Sequence, residues 1–206
     1  MATARLHVAV VLYPGCVFFE IALAVETLAA ACTIGYYTPD GGEHRASNGA
    51  VLRATGSYAD LRAADAAAVL IPGGDPQRIL LPDNLIAPAL QALAARDTVL
   101  AGICAGNLVL AACGLLRGRR GTHNYTTEHA SHEQVAATAA LWQGLRFERA
   151  DLVRDGSLIT AQPWAYRRYA AAVARQLGVL TDAQASDLET YPARRSDATR
   201  NDPDRG

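Results

Sequence analysis

A lone cysteine between two glycines is the feature that most constrains how this chain can fold. Val99–Ile103 is an apolar, β-type run that contains Gly102, Cys104 follows it, and Gly106 comes two residues later. A small-residue run of helical composition, residues 108–113, comes next. This order predicts a sharp strand-to-helix turn with Cys104 at its apex, the cysteine counterpart of the G-x-S-x-G nucleophile elbow. A buried structural cysteine in a small-residue turn is the alternative interpretation.

The predicted turn would also determine the chemistry of Cys104. A strained apex needs neighbours without a Cβ, which Gly102 and Gly106 supply. The turn aims the thiol at the N-terminus of the following helix, where free N–H groups and the helix dipole stabilise a negative charge. We therefore expect a cysteine that favours the thiolate and acts as a nucleophile.

Composition excludes several functional classes. The net charge of −1 leaves no basic footprint for nucleic acid or for an anionic membrane surface. The four cysteines, Cys16, Cys32, Cys104 and Cys113, fit neither metal-ligand spacing nor a disulfide framework. We expect neither a signal peptide nor a membrane span, because Met1–His7 leads straight into a β-type run and no stretch approaches the ~20 apolar residues that span a bilayer. We expect a cytoplasmic protein with free thiols, no metal and no cofactor.

The order of apolar runs and turn signals predicts an α/β fold with a mostly parallel sheet and helices on both faces. Strands are expected over residues 6–13, 32–38, 66–71 and 99–103, and helices over residues 18–31, 84–96, 108–113, 131–142 and 162–177. Residues 43–61 are expected to be rich in turns, with a hairpin at Asn48-Gly49, and a second hairpin is expected around Asp155-Gly156. Residues 1–180 are expected to form one domain. Residues 181–206 are polar, and we expect an appendage or a disordered tail.

Further candidate site residues come directly after predicted strands. Glu20 lies in the first turn of the helix that follows strand one, at the sheet edge where α/β proteins bind ligands; the alternative is a carboxylate that only complements the helix dipole. Gly73 and Gly74 follow the next buried strand and offer backbone N–H groups as oxyanion donors, although a plain loop is the alternative. His123 follows a short segment that returns to the same edge.

A cluster of titratable residues follows His123 along the chain. It consists of Glu128, His129, His132 and Glu133. Such a cluster could bind a metal ion, but its members lack the spacing that a fixed metal site requires. A solvated start of a helix is the favoured interpretation.

The combined motifs resemble the ThiJ/PfpI superfamily over about residues 5–178. The motifs are Tyr13-Pro14-Gly15, Glu20, Ile71-Pro72-Gly73-Gly74, Gly102-Ile103-Cys104-Ala105-Gly106, the run 114–120, Thr122-His123 and Leu158-Ile159-Thr160-Ala161. The resemblance implies a flavodoxin-like three-layer sandwich, usually a homodimer. It also implies that Cys104 is the nucleophile, Glu20 the acid against its sulfur, Gly74 and Ala105 the backbone donors, and His123 a neighbouring histidine.

The reaction is less closely defined, because the motifs mix two branches of the superfamily. Residues 114–123 are most similar to the isocyanide hydratase branch, which usually has Asp at position 20 and Thr at position 105. Glu20 and Cys-Ala-Gly resemble the deglycase and glyoxalase branch instead, and Ala105 argues against a peptidase. We expect attack of Cys104 on a small electrophile, with Glu20 protonated against the thiolate and its pKa raised by Phe18, Phe19 and Ile21.

Two other functions stay open. A redox-sensing stress protein would use the same accessible thiol. A ligand-binding regulatory module is the weakest alternative, because residues 181–206 are too few and not basic enough to form a helix-turn-helix domain.

Overall fold

The computed structural model describes residues 5–190, which form a central sheet with flanking helices. The strands are β1 His7–Val11, β2 Thr33–Thr38, β3 His44–Arg45, β4 Val51–Leu52, β5 Gly56–Ser57, β6 Ala68–Ile71, β7 Val99–Ile103, β8 Arg120–Gly121, β9 Arg146–Phe147, β10 Leu152–Asp155 and β11 Leu158–Ala161. The helices are α1 Phe19–Ala29, α2 Tyr58–Ala63, α3 Gln77–Leu80, α4 Ala87–Ala94, α5 Gly106–Ala112, α6 His132–Thr138, α7 Tyr166–Gln176 and α8 Asp182–Thr190. Short 3-10 helices cover Ala139–Trp142 and Pro163–Ala165.

The main sheet has seven strands in the order β10-β11-β7-β6-β1-β2-β5. Only β10 runs antiparallel to its neighbour, and every other pair in this sheet is parallel. Strands β6 and β7 are buried along their whole length, as expected for strands covered on both faces. Helices α1 and α7 pack together, α7 also packs on β7 and β11, and α5 packs on β6 and β7. The predicted flavodoxin-like α/β fold is confirmed.

Both predicted hairpins are present. β3 and β4 pair in antiparallel fashion around Asn48-Gly49, with Gly49 at φ +86°. β10 and β11 pair around Gly156, whose φ of +64° suits the tight turn. The turn-rich interpretation of residues 43–61 missed α2, a six-residue helix. It starts at a capping box in which Ser57 and Asp60 satisfy each other's backbone N–H groups.

Residues 182–190 are an ordered appendage, the first of the two alternatives expected for the tail. These residues form α8, which packs on α7 and buries Ala185 completely. The half-buried Leu188 also packs against the core, and two apolar side chains in an otherwise polar stretch are a weak sequence signal for a docked helix. Residues 191–206 lie outside the described part of the chain, and the domain boundary at residue 180 stays a prediction. Within residues 5–190, no helix has both the length and the hydropathy needed to cross a bilayer.

The packing of α8 can be tested with two alanines of the same helix. Ala185→Asp should lower the free energy of unfolding by about 1–3 kcal/mol, because it buries a carboxylate without a partner. Ala183 is exposed, and Ala183→Asp should stay within about 0.5 kcal/mol of the parent. Urea denaturation of the three proteins measures both effects. Equal losses in the two variants would contradict the docking of α8 on α7.

Candidate active site

The elbow that the sequence predicted is present between β7 and α5. Cys104 has φ +56°, a conformation that residues with a Cβ rarely adopt. A Cβ on Gly106 would lie 2.1 Å from the carbonyl oxygen of Ile71, so a larger residue cannot stand there. The backbone N–H of Cys104 and the side-chain amide of Asn107 both donate to the carbonyl of Ala161, at 3.0 and 2.8 Å. The elbow is therefore held against the end of β11.

Glu20 lies against the cysteine, as the sequence predicted. Its side chain is buried in the first turn of α1 and shares a hydrogen bond with the Cys104 thiol. The backbone N–H of Gly73 donates to Glu20 Oε2 at 2.8 Å. A Cβ on Gly73 would lie 2.6 Å from that oxygen and 2.7 Å from Cys104 Sγ. Glycine at position 73 is what allows the carboxyl group and the sulfur to meet.

The apolar residues beside Glu20 contribute unequally to its burial. Ile21 is fully buried and Phe18 is partly buried, but Phe19 is 62% exposed and contacts Tyr166. The expectation that Phe19 helps bury the carboxyl group is therefore wrong. Adjacent helical residues point about 100° apart, so Phe19 and Glu20 cannot both face the sheet.

The two predicted backbone donors point at the sulfur. The N–H groups of Gly74 and Ala105 both hydrogen-bond to Cys104 Sγ. Gly74 has φ +122° and pairs with Cys16 in an isolated antiparallel bridge, and a Cβ there would lie 2.3 Å from the carbonyl oxygen of Gly15. The Tyr13 hydroxyl donates to the carbonyls just before Gly74, at 2.8 Å each. The loop that carries Gly74 is thus held in place by the Tyr13 hydroxyl and by the backbone of Cys16.

Cys104 and Glu20 hold at least one proton between them at neutral pH. Burial, and then the negative charge of Glu20, raise the pKa of Cys104 to about 12, and burial also raises the pKa of Glu20. Two buried negative charges side by side are therefore excluded near neutrality. The simple expectation of a low-pKa thiol is wrong, because burial outweighs the two N–H donors. Those donors favour the form in which sulfur carries the charge and Glu20 the proton.

His123 lies in the same region but contacts other groups. Among the described residues its ring stacks on Trp142, with centroids 3.9 Å apart, and Nδ1 accepts a hydrogen bond from the Tyr125 N–H at 3.1 Å. The ring centroid of Phe147 lies 4.8 Å from that of His123. Burial lowers the pKa of His123 to about 4, so the ring is neutral at neutral pH. The arrangement suits a residue that positions the loop, and its predicted catalytic role stays a prediction.

Tyr125 is a site residue that the sequence did not single out. Its phenol lies close enough to Cys104 and Asp75 to interact with their charges, and burial raises its pKa to about 12. Together with Gly74 and Leu108, Tyr125 borders a cavity of about 390 Å³ that α6 closes on the far side. The only sequence signal was its place two residues after His123, on the segment that returns to the sheet edge.

The titratable cluster after His123 forms no metal site in the part of the chain that the structure describes. His132 is exposed and begins α6, and Ser131 caps this helix in a capping box with Gln134. His129 contacts the Trp164 ring edge-on, with centroids 4.9 Å apart. These positions agree with the interpretation of a solvated helix start.

The neutral state of His123 can be tested by NMR. Its ring signals should titrate near pH 4, because burial between aromatic rings disfavours the imidazolium. A spectrum of His123→Gln assigns the signals. Titration near the ordinary value of about 6.5 would contradict the buried, stacked ring.

Comparisons with known proteins agree with this fold. Residues 7–175 match the family model described as the DJ-1/PfpI family. A DJ-1 superfamily protein from Agrobacterium tumefaciens has a similar structure, with a TM-score of 0.76 at 24% identity over 90% of this chain and 97% of that one. Drosophila melanogaster DJ-1beta gives a TM-score of 0.73 at 21% identity, over 89% and 95% of the two chains.

A curated relative is similar over part of its sequence. An isonitrile hydratase from Pseudomonas putida is 32% identical over 114 residues, which are 55% of this chain and 45% of that protein. The match thus spans less than half the length of the relative. The family match over residues 7–175 is far longer, and it includes the elbow, Glu20 and the glycine loop. The chain belongs to the DJ-1/PfpI family.

Proposed function

We propose that this protein is a cysteine-dependent enzyme that adds water to a small electrophilic carbon, with an isocyanide as the first candidate substrate. The observation that carries the proposal is the hydrogen bond between the buried Glu20 carboxyl group and the partly buried Cys104 thiol, at the apex of an elbow and beside two backbone N–H donors. The partial similarity to an isonitrile hydratase supports the choice of substrate class.

The first step forms a bond between sulfur and carbon. The thiolate of Cys104 attacks the terminal carbon of R–N≡C, and the shared proton passes from Glu20 to that carbon. The product is a thioimidate, R–N=CH–S–Cys, and Glu20 is left as a carboxylate. The raised pKa of Glu20 brings its proton affinity closer to that of the reacting groups, which favours general acid–base catalysis.

The second step adds water and releases the enzyme. Glu20, now a carboxylate, takes a proton from water, and the hydroxyl group adds to the thioimidate carbon. Glu20 passes this proton to nitrogen and takes up the hydroxyl proton of the adduct as the C–S bond breaks, and the N-substituted formamide R–NH–CHO leaves. Atoms balance as one isocyanide plus one water, and Cys104 and Glu20 recover their single shared proton.

The surroundings of the pair assign further roles. The N–H groups of Gly74 and Ala105 stabilise negative charge on sulfur before attack and as the C–S bond breaks. The neighbouring cavity of about 390 Å³ holds the R group, and the Tyr125 phenol at its border orients it. The homodimer and the cytoplasmic location remain predictions that accompany this proposal.

The other candidate functions rank lower on specific grounds. An α-oxoaldehyde such as methylglyoxal offers the same kind of electrophilic carbon. It is the alternative substrate, because Glu20 and Cys-Ala-Gly resemble the deglycase and glyoxalase branch. Redox sensing is less favoured, because oxidation of the sulfur would leave the buried acid–base group beside it, Glu20, without a role. Peptidase chemistry is disfavoured by Ala105.

A turnover screen tests the proposal. The parent protein should convert an aryl isocyanide to its formamide, and Cys104→Ala should lose this activity entirely because no nucleophile remains. Cys32→Ala, which removes a buried cysteine elsewhere in the chain, is the control and should retain activity. Lactate from methylglyoxal with no formamide would select the alternative substrate. Equal turnover by Cys104→Ala, or no turnover of either compound, would refute the proposal.

A further inference from the structure

Tyr13 lies behind the backbone that faces the reacting pair, Glu20 and Cys104. It follows shortly after β1, and its side chain is fully buried. Its hydroxyl lies 2.8 Å from the carbonyl oxygens of both Pro72 and Gly73. A hydroxyl has one hydrogen, which the two oxygens share in a three-centre hydrogen bond. A phenylalanine ring would fill the same space without placing a polar atom in the core.

The two carbonyls belong to the peptide groups that carry N–H donors of the site. Both peptide bonds are trans, so the C=O and the N–H of each planar group point in opposite directions. The Pro72 carbonyl is opposite the Gly73 N–H, which donates to Glu20 Oε2 at 2.8 Å. The Gly73 carbonyl is opposite the Gly74 N–H, which donates to Cys104 Sγ. One hydroxyl therefore lies behind both donors.

A hydrogen bond at the carbonyl end of a peptide group strengthens the N–H donor at the other end. Each bond polarises the group, and linked hydrogen bonds reinforce one another inside a protein. Successive N–H groups that face the same side also form a concavity that binds negative charge. Because one N–H faces Glu20 and the next faces Cys104, the hydroxyl stabilises a negative charge on either group.

Tyr13 acts as a neutral donor, not as a charge. Burial, the largest cause, raises its pKa well above the ordinary value, so the hydroxyl keeps its hydrogen near neutral pH. Electrostatic interactions also link the reacting pair to Cys16, Tyr125 and Tyr169. Burial raises the pKa of all three groups, so they are neutral near pH 7 as well. A change in the titration of the pair therefore reports on its N–H donors.

We propose that Tyr13 is a positioning residue for the reaction of Cys104. Its hydroxyl fixes the direction of the Gly73 and Gly74 N–H groups and strengthens both as donors. Since the side chain is fully buried, it acts through these two peptide groups and does not contact the substrate. The role rests on the proposed function, because the negative charge that these donors stabilise is the charge that attacks the electrophile.

The test removes one hydroxyl from each of two buried tyrosines. In Tyr13→Phe the Gly73 carbonyl still accepts from the Val17 N–H at 2.8 Å, so the loop keeps an anchor. Tyr169→Phe is the matched control, because Tyr169 is also fully buried and its hydroxyl donates at 2.8 Å to the carbonyl of Ala101 within β7. Urea denaturation should show a similar loss of stability in the two variants, since each loses one buried hydroxyl donor.

The decisive readout is the rate at which iodoacetamide alkylates Cys104 as a function of pH. This rate rises as the pair loses its first proton, and peptide mass spectrometry follows it at Cys104 alone. Tyr13→Phe should raise the midpoint by about half a pH unit and slow alkylation about threefold below it, because weaker N–H donors disfavour the charged pair. Tyr169→Phe should keep the parent midpoint. An unmoved midpoint in Tyr13→Phe, or the same shift in both variants, would overturn the proposal.

Turnover separates this role from the proposed function. With an aryl isocyanide, Tyr13→Phe should lower kcat and leave KM nearly unchanged, because Tyr13 does not line the cavity beside Gly74. A raised alkylation midpoint in Tyr13→Phe, with no turnover by the parent, would support the role of Tyr13 and refute the hydratase reaction. Turnover by the parent with an unmoved midpoint in Tyr13→Phe would do the reverse.

Discussion

The hydrogen bond between Glu20 and Cys104 is the interaction on which the rest of the site depends. It joins two groups that would repel each other if both were ionised, in a place where burial weakens screening by water. At least one proton must therefore remain with the pair, and proton transfer between oxygen, sulfur and a substrate is the chemistry that the pair can perform. The parallel sheet makes this meeting possible, because β1, β6 and β7 end at the same edge.

This geometry requires the backbone to approach the reacting groups and strand β6 closely, and glycines make that approach possible. Side chains at Gly73 and Gly106 would collide with the reacting groups or with the β6 backbone. Gly74 combines a positive φ with the bridge to Cys16, so the donor loop is fixed before a substrate arrives. An enzyme that stabilises charge with fixed N–H dipoles avoids reorganising them during the reaction.

The sequence predicted the parts of the site that follow directly from strand ends. Glu20, Gly73, Gly74 and Cys104 each come soon after an apolar run, and the rule that parallel strands share a carboxyl edge brings them together. The approach of Tyr125 to Cys104 could not be predicted, because it depends on the path of a loop without periodicity. The low pKa of His123 depends on burial and stacking against Trp142, which is distant in sequence and was expected only as a helix end.

The most direct measurement is the effect of Glu20→Gln on turnover and on alkylation of Cys104 by iodoacetamide at neutral pH. Glutamine keeps the size of the side chain but cannot exchange a proton, so turnover should fall at least about a hundredfold. Removing the charge of Glu20 should leave the thiol at least as reactive as in the parent, which peptide mass spectrometry can follow at Cys104 alone. Retained turnover, or loss of both properties together, would contradict a proton shared between Glu20 and Cys104.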